Sequence, residues 1–288
     1  MAEIIDGKQI ANEIEVNLKK DIDYFYNKTS IRPSLNTLLI GGDEASKLYA
    51  KSKLKSAQRV GMTGNINVLD QNADLNTVLE LIDRLNKDPN VHGIMIEMPI
   101  PAHLDKAKIT QKIAPEKDID GMNPVNYGNL LVGNEDFVPS TPKAVIKMLN
   151  YANTKFEGAE VCIINASIVV GKPLALMLIN RYATVTVCRS KTKNLKDHTL
   201  RAEIVVVATG KPNFLTEEMV TPEATVIDVG INNVNGKIVG DVDFEKVSRK
   251  VKRITPVPGG VGSVTTMTIL ENTFNACKKQ VEKNMNQF

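Results

Sequence analysis

Short unbroken apolar runs alternate along this chain with longer stretches in which apolar residues return every three or four positions. The first pattern fits strands buried on both faces, and the second fits amphipathic helices. In the first third the alternation predicts a helix at about 7–27, a strand at Ser34–Ile40 ("SLNTLLI") and a helix at about 44–60. A strand at 65–69, a helix at about 75–86 and a strand at 92–97 follow. A second set begins after "FVPSTPKAV", where Thr141 is placed to cap a helix with Pro142 in its first position, running to about Asn150. Strands are then expected at 160–164, 184–188, 204–208 and 225–229, with a helix at 172–181. A last helix, at about 265–283, comes after a turn rich in proline and glycine and is expected to return to the first lobe. Helices between like strands act as right-handed crossovers, so the class is α/β with a parallel sheet in each of two lobes and a boundary near residue 140.

One strand breaks the apolar pattern. "VHGIMIEMPIP" (91–101) carries a single carboxylate, Glu97, among aliphatic residues and methionines. A charge buried there needs a partner. Composition adds little against the α/β reading. The chain has 288 residues, 42% hydrophobic and 24% charged, with a net charge of +3. That charge is too small to indicate nucleic acid or a membrane surface, yet it suits an anionic small molecule. Cys162, Cys188 and Cys277 are odd in number and lack CxxC spacing, so they read as buried free thiols. Residues 1–8 are polar and acidic, and no apolar run approaches a membrane span, so a soluble, cytoplasmic protein is expected.

Candidate chemistry begins at "VCIINASIVVGKPLALML" (161–178), a strand, a turn and a helix. Its spacing Asn165-x-Ser167-x-x-x-Gly171-x-Pro173 resembles a phosphate-binding turn, in which a helix N-terminus presents free N–H groups to a pyrophosphate. Gly171 allows close helix packing, and Asn165 stands where such turns have their first glycine, a place that asparagine tolerates through its access to left-handed angles. An ordinary strand–helix turn has the same outline. The next strand ends in Arg189, Ser190, Lys191 and Thr192. In a Rossmann unit this end meets the adenosine ribose, and cations and hydroxyls suit a 2′-phosphate, which favours NADP over NAD. Lys191 and Lys193 also fit a solvated basic loop. "VVVATGKP" and "VIDVGIN" end in turns whose glycines bring backbone groups to a ligand.

In "ASKLYAKSKLKSA" (45–57), Tyr49 and Lys53 share one helix face, while Lys47, Lys51 and Lys55 form a solvated stripe. A tyrosine and a lysine facing a crevice could stack a ring and handle a proton; an amphipathic helix with snorkelling lysines has the same spacing. "PEKDIDGMNPVN" (115–126) sets three acids just before Gly121 without calcium-loop spacing. Metal binding is therefore disfavoured, and a single oriented carboxylate such as Asp120 could accept paired N–H donors from an aminopyrimidine-like ring. In "TPVPGGVGSVTT" (255–266), Gly259 and Gly260 can take positive φ and let a flat ligand approach the backbone.

Together these segments resemble the bifunctional methylenetetrahydrofolate dehydrogenase/cyclohydrolase family over essentially the whole chain. The matching motifs are "IIDGK" (4–8), "YAKSKLKSA" (49–57), "KDIDG" (117–121), the Thr141–Pro142 pair, "VVGKP" (169–173), "ATGKP" (208–212), "VIDVGIN" (226–232), "GDVDF" (240–244) and "TPVPGGVG" (255–262). The resemblance implies an N-terminal three-layer α/β substrate lobe and a C-terminal Rossmann-type dinucleotide-binding lobe with a cleft between them. Residues 1–140 plus a C-terminal helix at about 268–288 would form the folate-binding domain, and 141–267 the NAD(P)-binding domain. It further implies a homodimer acting in one-carbon metabolism and purine biosynthesis. Tyr49 would stack on the aminobenzoyl ring of the folate, Lys53 would be the cyclohydrolase lysine, and Asp120 would hold the pterin. Asn165, Ala166, Ser167, Gly171, Arg189, Ser190, Thr209, Gly210 and Ile231 would bind NADP, while Pro258, Gly259 and Gly260 would line the folate site. The implied chemistry moves a hydride from 5,10-methylenetetrahydrofolate to the nicotinamide, and water then opens the methenyl cation to 10-formyltetrahydrofolate.

The chain departs from the family pattern at four places: Glu97 for a glutamine, Asn165 for a glycine, Ser140 for a cysteine and Ser263 for a proline. Glu97 bears most on chemistry, because that glutamine contacts the position of Lys53. A carboxylate ~4 Å from an ammonium attracts it by roughly 1–4 kcal/mol. Glu97 is therefore expected to hold Lys53 protonated and to weaken or abolish the cyclohydrolase, unless Glu97 itself serves as the base. A degenerate folate- or nucleotide-binding protein is the alternative to an enzyme.

Overall fold

The computed structural model describes residues 1–42 and 44–285. In chain order the elements are β1 (Glu3–Ile4), α1 (Gly7–Thr29), β2 (Ser34–Ile40), α2 (Glu44–Arg59), β3 (Thr63–Leu69), α3 (Leu75–Lys87), β4 (Gly93–Ile96), α4 (Lys106–Lys112), α5 (Pro124–Leu131) and α6 (Ser140–Tyr151). They continue with β5 (Glu160–Ile164), α7 (Gly171–Ile179), β6 (Thr184–Cys188), α8 (Leu195–Thr199), β7 (Ile204–Val207), β8 (Thr225–Asp228), β9 (Asn232–Val234), β10 (Lys237–Val239), α9 (Phe244–Val247), β11 (Arg253–Ile254) and α10 (Val261–Met285). Two compact units divide them. The N-terminal unit comprises Glu13–Asn129, Asp136–Ser140 and Thr266–Phe288; the C-terminal unit comprises Met1–Asn12, Leu130–Glu135 and Thr141–Thr265.

The N-terminal unit has a parallel sheet in the order β3-β2-β4. Every residue of central β2 is buried, so both faces are covered, whereas edge strand β3 stays largely accessible. Leu38, Ile40, Ile94 and Ile96 share one face and pack on Val78, Ile82 and Leu85 of α3 and on Ile109 of α4. Side chains alternate along a strand, so Glu97 falls on the opposite face with Met95. α2 packs against β2 and β3. Helix α3 begins where Asp74 accepts the Thr77 N–H (2.7 Å). At its far end the ammonium of Lys117 donates to the carbonyls of Leu85 (3.1 Å) and Asp88 (2.7 Å), a buried cation against a helix C-terminus.

The C-terminal unit has a six-stranded sheet in the order β1-β11-β8-β7-β5-β6, parallel throughout. The chain leaves β5 for edge strand β6 and then returns to β7 on the other side of β5. That reversal opens a crevice above the carboxyl ends of β5 and β7. One face of the sheet rests on a cluster that includes Cys162, Ile164, Val205, Val207, Val226 and Ile254.

Strands 34–40, 160–164 and 184–188 have the bounds the apolar runs predict. Thr141 is not the cap of α6: the helix already includes Ser140, whose N–H and hydroxyl turn to Asp120 instead. α10 starts at Val261, earlier than its apolar pattern suggests, because the chain is helical directly after the Gly259–Gly260 turn. The Ser263 N–H donates to the Gly260 carbonyl (3.1 Å), a bond that a proline could not make. The first twelve residues cluster with the C-terminal unit, since β1 adds beside β11. Two residues of strand carry no periodicity from which to read this. All three cysteines are free and buried. No helix among the described residues is long and apolar enough to cross a membrane.

Candidate functional site

In the N-terminal unit the lone acid of the fourth strand finds its partner. Glu97 continues β4, its N–H donating to the Leu38 carbonyl (2.8 Å). From there its carboxylate receives the Lys53 ammonium of α2 on both oxygens, at 2.9 and 2.8 Å. The side chains are only 16% and 9% exposed, so water screens the pair little. Tyr49, one turn earlier on α2, is about half exposed.

The "KDIDG" segment runs beside β4, with the Ile94 N–H donating to the Lys117 carbonyl (2.7 Å). Its acids divide their work. Asp118 is internal: its Oδ2 accepts the Asn123 N–H (2.7 Å) and the Asn126 side-chain amide (2.9 Å), which ties down the loop entering α5. Burial pushes its carboxyl up to about 6, against those hydrogen bonds. Asp120 keeps some exposed surface. Packing around its carboxyl raises it above the usual range, while the Ser140 hydroxyl (2.6 Å) and the nearby Lys53 charge pull the other way. Ser140 is thus a second residue at this site, marked in the sequence only as a departure from the family pattern. No cluster able to hold a metal ion occurs among the described residues.

In the C-terminal unit, Asn165, Ala166, Arg189, Ser190 and Thr209 line one cavity of about 400 Å³ across the ends of β5, β6 and β7. Thr192, Leu195, Lys211 and Phe214 line it too. The Thr192 hydroxyl accepts the Arg189 N–H (2.8 Å) and so shapes the rim. Arg189 and Ser190 are exposed there. Ser167 and Gly171 lie in the turn behind. A Cβ at Gly171 would come within 2.1 Å of the Asn165 carbonyl oxygen, so only glycine fits. Asn165 is not left-handed; its role is played by the side chain, which accepts from Ser167 N–H (2.7 Å), the Ser167 hydroxyl (2.7 Å) and Gly171 N–H (3.0 Å).

Ile231, Pro258, Gly259 and Gly260 do not line this cavity. Ile231 is exposed beyond β8. Of the two loop glycines only Gly259 has positive φ (102°); at Gly260 the requirement is space, since a Cβ would meet the Pro256 carbonyl oxygen at 2.3 Å.

Two buried carboxylates organise these loops. Asp241 accepts from Thr209 N–H, the Thr209 hydroxyl (3.0 Å), Gly210 N–H (2.9 Å) and the Asn232 amide (2.8 Å). Asp228 accepts from the N–H groups of Gly230 (2.9 Å), Asp241 (3.0 Å) and Val242 (2.9 Å). Burial, with the Asp241 charge adding to it, raises Asp228 to about 6 against those donors. The one available signal, for Asp228, is an acid ending an apolar strand, the same signal that marks Glu97.

A doubly wound parallel sheet with a cavity over its switch point, in a chain that also carries a second parallel α/β unit, defines a dinucleotide-binding α/β protein of two domains. More narrowly, the chain belongs to the tetrahydrofolate dehydrogenase/cyclohydrolase family: residues 5–120 match the family model for its catalytic domain and 139–281 that for its NAD(P)-binding domain. It is 42% identical over 278 residues to the bifunctional protein FolD of Nitratiruptor sp., covering 96% of this chain and 99% of the relative. The crystal structure of the bifunctional FolD enzyme from Campylobacter jejuni is 42% identical with a TM-score of 0.94, over 97% of this chain and 99% of that one. The Trypanosoma brucei enzyme, solved with NADP and an inhibitor, is 34% identical with a TM-score of 0.94, over 97% and 98% of the two chains.

Proposed function

We propose that this chain is an NADP-dependent methylenetetrahydrofolate dehydrogenase whose hydrolytic second step is weak. Arg189 and Ser190, exposed at the rim of the 400 Å³ cavity, suit a 2′-phosphate, and the glycine-bearing turn beneath suits a pyrophosphate. Asn165, Ala166, Gly171, Thr209, Gly210 and Ile231 complete the cofactor set, while Ser167 shapes the turn through its bonds to Asn165 and Val170. NADP, when bound, accepts the hydride released by the folate's methylene carbon. The product cation is spread over two nitrogens, so the protein's task is positioning more than proton abstraction. Tyr49 stacks on the aminobenzoyl ring. Asp120, one oxygen fixed by Ser140, receives pterin N–H groups. A cytoplasmic homodimer supplying one-carbon units for purine synthesis completes the reading, with a folate domain built mainly from residues 13–140 and the last helix and a cofactor domain built mainly from 141–267 and the first twelve residues.

The observation that carries the limit on hydrolysis is the Lys53–Glu97 pair, at 2.8 and 2.9 Å. Water attack on the methenyl cation needs a proton acceptor, and an ammonium held by two carboxylate oxygens is a donor. Paired assays of NADP reduction and methenyltetrahydrofolate hydrolysis test this. Ordinary hydrolysis by the wild type would sink the limit. Glu97→Gln should raise hydrolysis roughly tenfold, the rate equivalent of about 1.4 kcal/mol of released attraction. A loss in that variant would instead make Glu97 the base. Absence of NADP reduction with methylenetetrahydrofolate would leave a non-catalytic binding protein.

A further inference from the structure

Asn165 sits where the turn should be most open. Its side-chain nitrogen donates to the Ala208 carbonyl at 2.6 Å, spanning the crevice from the end of β5 to the end of β7. That bond fixes which way the amide points, so its oxygen faces the turn. There it takes the Ser167 N–H, the Ser167 hydroxyl and the Gly171 N–H, the first amide of α7. The Ser167 hydroxyl has one proton and gives it to Asn165, while its oxygen accepts the Val170 N–H at 3.1 Å. The Lys172 N–H is bound to the Ser167 carbonyl (3.0 Å). A phosphate at a helix N-terminus uses such donors. In this chain one neutral amide oxygen has already gathered three of them.

We infer that Asn165 is a built-in occupant of the phosphate end of the turn and limits the affinity of this chain for the pyrophosphate of its cofactor. The inference rests on the NADP reading above. It makes Ser167 a structural hydroxyl committed to Asn165. A glycine at 165 would free the Ser167 hydroxyl and the two N–H groups for phosphate oxygens. Position 165 is then an affinity determinant that separates the pyrophosphate from the rest of the nucleotide.

Titration calorimetry with NADP and with 2′-phosphoadenosine, which has no 5′-phosphates, tests it on wild type, Asn165→Gly, Ser167→Ala and the double variant. Asn165→Gly should bind NADP roughly tenfold more tightly, the scale of one charge-assisted hydrogen bond, with 2′-phosphoadenosine unchanged. Ser167→Ala should shift wild-type NADP affinity less than about twofold, yet cancel most of the gain in the glycine background, a coupling that only a released hydroxyl produces. Equal or weaker NADP binding by Asn165→Gly overturns the inference, as does an equal gain for both ligands. Should the glycine variant not fold, Ser167→Ala alone decides: a tenfold loss in wild type means the hydroxyl already serves the phosphate. NADP binding by none of the four proteins overturns the cofactor reading itself, and the inference with it.

Discussion

Glu97 and Asp241 are buried carboxylates, one in each unit, and they are satisfied in opposite ways. Glu97 faces a single cation, with both oxygens on the Lys53 ammonium. Asp241, with no exposed surface, is held by two backbone N–H groups, a hydroxyl and an amide. An ion pair between a helix side chain and a strand end can exchange partners when a ligand or proton arrives. A carboxylate ringed by neutral donors from the 209–210 and 232 segments cannot release one without orphaning the others. The first arrangement is where chemistry can be adjusted by one substitution. The second fixes loop shape, and the loop it fixes borders the cavity over the ends of β5 and β7.

The contrast breaks most readily at Asp241. Asp241→Ala leaves four buried donors without an acceptor, and we expect a loss of about 3–4 kcal/mol in urea unfolding. The KM for NADP should rise more than kcat falls. A cost under about 1 kcal/mol would mean that the donors find water and that the carboxylate is not a scaffold. Lys53→Met should cost somewhat less, about 2–3 kcal/mol, because it strands one buried carboxylate where Asp241→Ala orphans four donors. Adding Glu97→Gln should recover most of that loss by removing the stranded charge. A double variant no better than the single one would show that Lys53 contributes packing and that the pair's charge is incidental.

Glu97 was legible in the sequence because it interrupts an apolar strand, and Lys53 because it shares a helix face with an aromatic residue. Asp241 was not, since its partners come from turns some thirty and nine residues away and leave no period. Strands 34–40 and 160–164 were legible to their ends, because a mainly apolar run of five to seven residues between turn residues is too short for a helix and fits a buried strand. Strands β1 and β11 and helix α9 are too short to carry a pattern. The β9–β10 hairpin was not anticipated although its turn carries a signal: Asn235 and Gly236, both at positive φ, join two short strands. The order β6-β5-β7, which makes the crevice, follows from βα crossovers, but the sequence did not tell which side of β5 each strand takes.

A smaller effect compares Asp118 with Asp228, both raised to about 6 from 3.8 by burial. Because the folded state favours the protonated form, their contribution to stability is fully present below about 3.8 and is lost as pH rises through about 6. Above that pH each is a buried charge, and asparagine is the test. The Asn123 and Asn126 donors of Asp118 converge on Oδ2, so one amide oxygen can serve both. Asp118→Asn should stabilise by about 1 kcal/mol at pH 8, with little change at pH 5. Asp228 uses both oxygens, Oδ1 for Gly230 and Asp241 and Oδ2 for Val242. There the amide nitrogen must face an N–H, so Asp228→Asn should destabilise at pH 8 by about 1 kcal/mol. Urea unfolding of the three proteins from pH 5 to 8 reads both. If both asparagines stabilise at high pH, the buried charge outweighs the donor arrangement in each unit, and the way the N–H groups are shared between the two oxygens does not set the sign.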